Sequence, residues 1–251
     1  MILHPFWYLI YATKLGTWRI FLFQTLFFPS DKQLSVLLKS HILFIKGKIA
    51  RGVRILNNCK RYLNESRLLT LYYSFVYPYL NYCNSIWGNT CQVYLDPLVK
   101  LQKRAIRIIC NADRRSHTEP LFKRLGVLTL SKLFIYCTGL FMFKFHHSLI
   151  VWKRLEEEEI DENMKQLNQK FLFNHPLLPH IFRQFFKKNN SIHSHDTKQS
   201  NHMHLYGAKT SPKNRCIRII GANIYNHFYD KLDMNCKFKP YKFHFEAVSD
   251  R

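Results

Sequence analysis

Apolar residues recur at three-and-four spacing through the first 150 positions, the period of helices with one face in a core. In residues 40–63, Ile42, Ile45, Ile49, Val53 and Leu56 form such a stripe, and the other face carries Lys46, Lys48, Arg51 and Arg54. Gly47 and Gly52 interrupt this predicted helix, each at a cost of up to about 1 kcal/mol against alanine. A second helix is predicted over Leu68–Tyr77, with Asn64 as N-cap, Glu65 in the first turn and a turn at Tyr77-Pro78, since proline disfavours helical geometry in the residue before it. The pattern is clearest in YLDPLVKLQKRAIRIICN (94–111). There Asp96 reads as the cap and Pro97 as a first-turn residue, with Leu98, Leu101, Ala105, Ile108 and Ile109 as the apolar stripe. Lys100, Lys103, Arg104 and Arg107, at i, i+3, i+4 and i+7, form a second stripe of one charge sign.

The polar turn NADRRSHTEP follows and adds Arg114 and Arg115. A short helix over Leu121–Leu125 should end at Gly126. Leu130–His147 is apolar almost all round, as a helix buried on every side would be. The acidic run EEEEIDEN from Glu156 reads as a solvated face or linker, residues 188–215 as loop or disorder, and 215–228 as a strand or short helix. The expected fold is mainly α: a helical bundle with an irregular C-terminal extension. It divides into an unplaced apolar segment (1–38), a basic helical domain (39–155), and an acidic linker with a partly disordered extension (156–251).

The uncharged run from Leu68 to Leu95 is long enough to span a bilayer, and LYYSFVYPYLNYCNSIWGN within it holds seven aromatic rings. A span needs roughly 20 consecutive apolar residues. Pro78, Asn81, Asn84, Gly88, Asn89 and Gln92 interrupt the second half, where each buried amide in lipid would need a partner. Turn formers around Trp87 predict a packed connection from Asn81 to Gln92. The stretch therefore reads as core with tyrosine hydroxyls bonded at its edge, and a base-stacking surface is the alternative. The apolar opening, MILHPFWYLIYATKLGTWRIFLFQTLFF, is broken by Lys14 and Arg19 and lacks a basic leader and a small-residue cleavage site, so it does not read as a signal or anchor.

Charge sharpens this picture. The chain of 251 residues carries a formal net charge of +22. Residues 39–155 hold 20 Lys and Arg against 4 Asp and Glu, so the excess is concentrated in the helical block. That points to a polyanionic partner, nucleic acid or an anionic membrane face. Solvated helix faces normally mix acids with bases. The row Lys100, Lys103, Arg104 and Arg107 has no acid after Asp96 and predicts phosphate contact. Seven cysteines without close pairing in a large apolar chain read as reduced thiols of an intracellular protein, nuclear or cytoplasmic.

Chemistry is hard to find. The chain has no Asp-Asp pair, no nucleophile elbow, no glycine-rich nucleotide loop and no His-Glu-x-x-His. Two-metal phosphoryl transfer needs carboxylates gathered around the ions. Residues 39–155 offer only Glu65, Asp96, Asp113 and Glu119. His193, His195, His202 and His204 are candidate zinc ligands, against the simpler reading of a histidine-rich loop. The expectation is no metal, no cofactor, no small-molecule substrate and no catalysis by this chain alone.

The order of segments RLLTLYYSFVYPYLNYCNSIWGNT, LDPLVKLQKRAIRIICN, HTEPLFKRLGVLTLSKLFIY, HSHDTKQSNHMHL and RCIRIIGANIYN resembles the region downstream of the catalytic palm in reverse transcriptases of jockey-like, LINE-type non-LTR retrotransposons. The likeness covers roughly 39–228 and is most specific in its middle. Where that family closes on Arg-Tyr-x-Gly-Pro-x-x-Trp-Asn, this chain has Arg218 to Asn226 with Ala222 and Tyr225 in place of the Pro and Trp. The resemblance implies a thumb-like, non-catalytic fragment that grips RNA or DNA without sequence preference, since the palm motif is absent from this chain. The basic helix faces and the turn after them supply the expected contacts: Lys46, Lys48, Arg51, Arg54, Lys100, Lys103, Arg104, Arg107, Arg114 and Arg115. The alternatives are a peripheral membrane protein using the aromatic N-terminus and basic block on anionic lipid, or a remnant that does not fold stably.

Overall fold

The computed structural model of the chain describes residues 31–157, 185–193, 199–207 and 217–229. The described residues are mainly helical and contain no strand beyond one isolated antiparallel bridge. In chain order the helices are α1 (Asp31–Cys59), α2 (Glu65–Phe75), α3 (Tyr77–Asn81), α4 (Asn84–Trp87), α5 (Gln92–Ile109), α6 (Glu119–Leu125), α7 (Leu130–Glu157) and α8 (Ile217–Tyr229), with a single 3-10 turn at Asn189–Ser191.

The stripe on α1 is buried as predicted, Ile42, Ile45, Ile49, Val53 and Leu56 together, and packs against α5 and α2. The helix begins at Asp31, well before residue 40, so the boundary drawn at 38 falls inside it. Its two glycines differ. Gly47 has open space around it, whereas a Cβ on Gly52 would lie 2.8 Å from the Phe75 carbonyl oxygen and 3.0 Å from Val76 Cγ2. Gly52 thus sets how closely α1 and α2 approach.

Asn64 caps α2 through a bond from Arg67 N to its Oδ1 (3.1 Å). The helix stops at Phe75, and Pro78 does not sit in a turn. It occupies the first turn of α3, where the missing N–H costs nothing. The stretch from Asn81 to Gln92 is the packed connection expected, tightened into the short helix α4. Within it Trp87 is 1% exposed and its indole N–H donates to Tyr82 O (2.8 Å). Of the seven rings between Leu71 and Asn89 only Tyr73 and Phe75 are exposed, so the stretch is mostly core.

The most consequential departure lies in α5. This helix starts at Gln92, not at Asp96, and Pro97 is inside it. Asp96 caps nothing and instead accepts a bond from Gln92 Nε2 (2.6 Å). Pro97 deprives the Val93 carbonyl of its helical donor at a place where Val93 is 77% exposed. The buried face comprises Leu95, Leu98, Gln102, Ala105, Ile106 and Ile109, with Leu101 and Ile108 only half-buried. Gln102 is therefore a core residue. Its Nε2 donates to Tyr72 Oη (3.1 Å) and Leu128 O (2.9 Å), and its Oε1 accepts from Leu130 N (3.0 Å), the first amide of α7.

α6 ends at Gly126 in the left-handed region (φ 62°), as its position predicts. α7 runs to Glu157, beyond the predicted His147. From Leu130 to Leu149 only Ser131 is exposed, because the helix is shared between two cores. Its first turns complete the core of α1 to α6 through Leu130 and Leu133. Further along, Met142, Phe143 and Phe145 join Phe185, Phe186, Met203, Ile217, Ala222 and Tyr225 in a second core. α8 settles the ambiguous 215–228 segment as helix from Ile217 on, and its first two residues lie outside the described ones. Asn226 on it brackets Met203, accepting from its N–H (2.7 Å) and donating to its carbonyl (2.9 Å). Part of the expected loop at 188–215 is thereby ordered, with Met203 bridged to Lys188. Among the described residues no single helix is long and apolar enough to cross a membrane. The pair Glu119–Leu125 and Leu130–Leu149 would pass by length and composition, bent by 47°.

Two opposite outcomes are expected on α1. Gly47→Ala should raise stability in urea unfolding by about 0.5–1 kcal/mol, while Gly52→Ala should lower it by about 1–3 kcal/mol through overpacking against Phe75 and Val76. Gln102→Leu should cost about 2–4 kcal/mol by leaving Leu130 N and Leu128 O unbonded. Equal effects of the two glycine substitutions would show that the α1–α2 crossing is not close.

Candidate nucleic-acid interface

At about 100° per residue, Lys100, Lys103, Arg104 and Arg107 fall within roughly 100° of one another on α5, diametrically across from Gln102 and Ile109. Burial agrees: the first three are exposed and Arg107 is half-buried. The Arg107 Nε–H donates to Ser116 O (3.0 Å), which anchors its stem against the loop after α5.

That loop turns back under the helix end through a Schellman cap. Ala112 N donates to Arg107 O (2.9 Å) and Asn111 N to Ile108 O (3.2 Å). Asn111 takes the left-handed conformation (φ 48°) that this cap requires, a role asparagine fills next best to glycine. The reversal sets Arg114 beside the row. From the other side comes Lys60, just past α1. Together Lys60, Lys100, Lys103, Arg104, Arg107 and Arg114, with Ile108, Asn111 and Ala112, line one groove of about 670 Å³.

No carboxylate lines this groove. Among the described residues the ion pair formed is Arg124 with Glu65 (2.6 Å), which uses none of the six. In water, like charges about 6 Å apart repel by roughly 0.7 kcal/mol per pair. The groove is thus an electropositive concavity whose cations are held together by the scaffold and not neutralised by it.

The other predicted contacts are placed differently. Lys46, Arg51 and Arg54 are exposed and Lys48 is half-buried, with its ammonium 5.2 Å over the Phe44 ring. These four spread over more than half the circumference of α1, at about 100° per residue, and none lines the groove. Arg115 is exposed but also outside it. Sequence reasoning missed Lys60. Its signal was available: it stands four residues after Leu56 and seven after Val53, so it continues the core-facing stripe of α1 past the point where the core stops.

Among the described residues no group of three or more His, Cys, Asp or Glu comes together. His193 and His204 lie ring to ring (5.5 Å), and His204 Nδ1 bonds Asn189 Oδ1 (3.3 Å). His195 lies outside the described residues. None of the five described cysteines is in a disulfide. Burial pushes the Cys137 thiol up to about 12 and the Cys83 thiol up to about 11, away from the reactive thiolate.

Comparison with protein-family models, with curated proteins and with solved structures finds no match.

Since the unfolded thiol ionises at 9.0, the preference of the fold for protonated Cys83 and Cys137 is fully stabilising below pH 9. It is lost as pH rises from there towards 11 and 12. At about pH 8, iodoacetamide should modify exposed Cys91 readily and reach Cys83 and Cys137 only after denaturation. Modification of all three in the native protein, seen by peptide mass spectrometry, would contradict this burial.

Proposed function

We propose that the chain binds RNA or DNA without sequence preference, the groove beside α5 holding phosphates, and that it contributes grip and not chemistry. The observation that carries this reading is the lining of the groove: six cations and no acid. Lys and Arg that touch phosphates release condensed counterions, which favours binding irrespective of base sequence.

The resemblance to the post-palm region of LINE-type reverse transcriptases fits this reading. A thumb-like fragment would track the backbone of template and primer while a separate palm supplied the carboxylates. Of the ten contacts read from the basic helix faces and the turn after α5, we retain Lys100, Lys103, Arg104, Arg107 and Arg114 as one site. Lys46, Lys48, Arg51 and Arg54 would at most add diffuse attraction around α1.

The test is affinity for single-stranded RNA as a function of salt. Replacing Lys100, Lys103, Arg104 and Arg107 together by alanine should weaken binding at low salt and flatten the slope of log K against log salt by about 3, at about 0.7 per phosphate contact. Unchanged affinity and slope would refute the assignment. Retention on anionic vesicles in excess RNA would favour a membrane face instead, and metal-dependent nucleotide incorporation by the purified chain would overturn the non-catalytic half.

A further inference from the structure

We infer that the groove prefers a compact run of contiguous phosphates, of the kind found in free tripolyphosphate or at the 5′-triphosphate end of an RNA strand, over the spaced phosphates along a strand. This rests on the reading of the groove as a phosphate site.

The inference comes from matching charge to length. From Lys100 to Arg107 the row on α5 covers about 10 Å of helix axis at 1.5 Å per residue. A stacked strand offers about one phosphate per 3.4 Å, so about three lie alongside the row. Yet the groove gathers six cations, because Lys60 and Arg114 close on the row from α1 and from the loop after α5. A duplex would supply the missing charge at about one per 1.7 Å of axis. It divides that charge between two strands of a cylinder, and no more than part of it faces one groove. The groove's volume of about 670 Å³ is instead typical of a small-molecule site.

The composition of the walls points the same way. No aromatic ring lines the groove, and Ile108 and Ala112 are its apolar residues, so a base has no ring to stack on. The carbonyls at the end of α5 would ordinarily repel an anion. Here the Ile106, Arg107 and Ile108 oxygens accept bonds from Cys110 N (3.0 Å), Ala112 N (2.9 Å) and Asn111 N (3.2 Å). The capping turn therefore withdraws acceptors from the place where cations converge, and Asn111 and Arg114 become part of the wall.

Fluorescence anisotropy on the full chain tests this with one short RNA sequence carrying a 5′-triphosphate or a 5′-hydroxyl, and with sodium tripolyphosphate as competitor. The triphosphate form should bind about tenfold more tightly, equivalent to about 1.4 kcal/mol, and tripolyphosphate should displace both. Because Lys60 and Arg114 are exposed, Lys60→Ala with Arg114→Ala should leave the circular dichroism unchanged while cutting the triphosphate advantage to less than about twofold. If tripolyphosphate competes but both strand ends bind alike, the phosphate cluster stands and its source is the free anion. If the ends bind alike and tripolyphosphate displaces nothing, the inference falls, while strand binding that remains sensitive to the row on α5 leaves the nucleic-acid reading intact. If neither RNA nor tripolyphosphate binds, both fall together.

Discussion

A buried amide holds the bundle in register. Gln102 is 1% exposed, and both its donors and its carbonyl are bonded, to Tyr72 on α2, to the Leu128 carbonyl and to the first amide of α7. Burying such a group without partners costs several kcal/mol, so only one rotation of α5 about its own axis is tolerated. Every rotation that would bring Lys100 or Arg104 toward the core tears Gln102 from three partners at once. The charged side of α5 is thus fixed by what happens on its opposite side.

That constraint explains why a groove forms rather than a scattered basic surface. α1 and α5 pack along a shared apolar seam, and where the seam ends α1 carries Lys60 and α5 turns through Asn111. Both chain reversals occur at the same end of the seam and carry cations. The close approach permitted by Gly52 positions α2, whose Tyr72 is the far partner of Gln102. Packing, capping and charge therefore converge on one feature, although each arises from ordinary local rules.

Much of this was legible in the sequence. Period and charge sign placed the α1 stripe, the buried α7 and the one-sided row on α5, and capping chemistry placed the Asn64 cap and the Gly126 stop. What was not legible depended on partners distant along the chain. A glutamine within an apolar helix face reads as polar until Tyr72, Leu128 and Leu130 are known to surround it. Asp96-Pro97 has the appearance of a helix start because local chemistry does not reveal that a further turn, Gln92–Leu95, winds ahead of it. Lys46, Lys48, Arg51 and Arg54 are a different case, since their spacing, legible in the sequence, already spreads them around α1 and sets them apart from the row on α5. The pairing of Lys188 with Met203 was invisible because Met203 is held by Asn226, more than 20 residues away.

The central claim is that phosphates lie against the α5 groove and not against basic surface in general. Lysine acetylation footprinting with and without bound RNA, read by mass spectrometry, tests it in a single experiment on the unaltered protein. The account predicts that RNA shields Lys60, Lys100 and Lys103 while Lys46 and Lys48 stay reactive. Shielding of Lys46 and Lys48 with Lys60, Lys100 and Lys103 still open would contradict it.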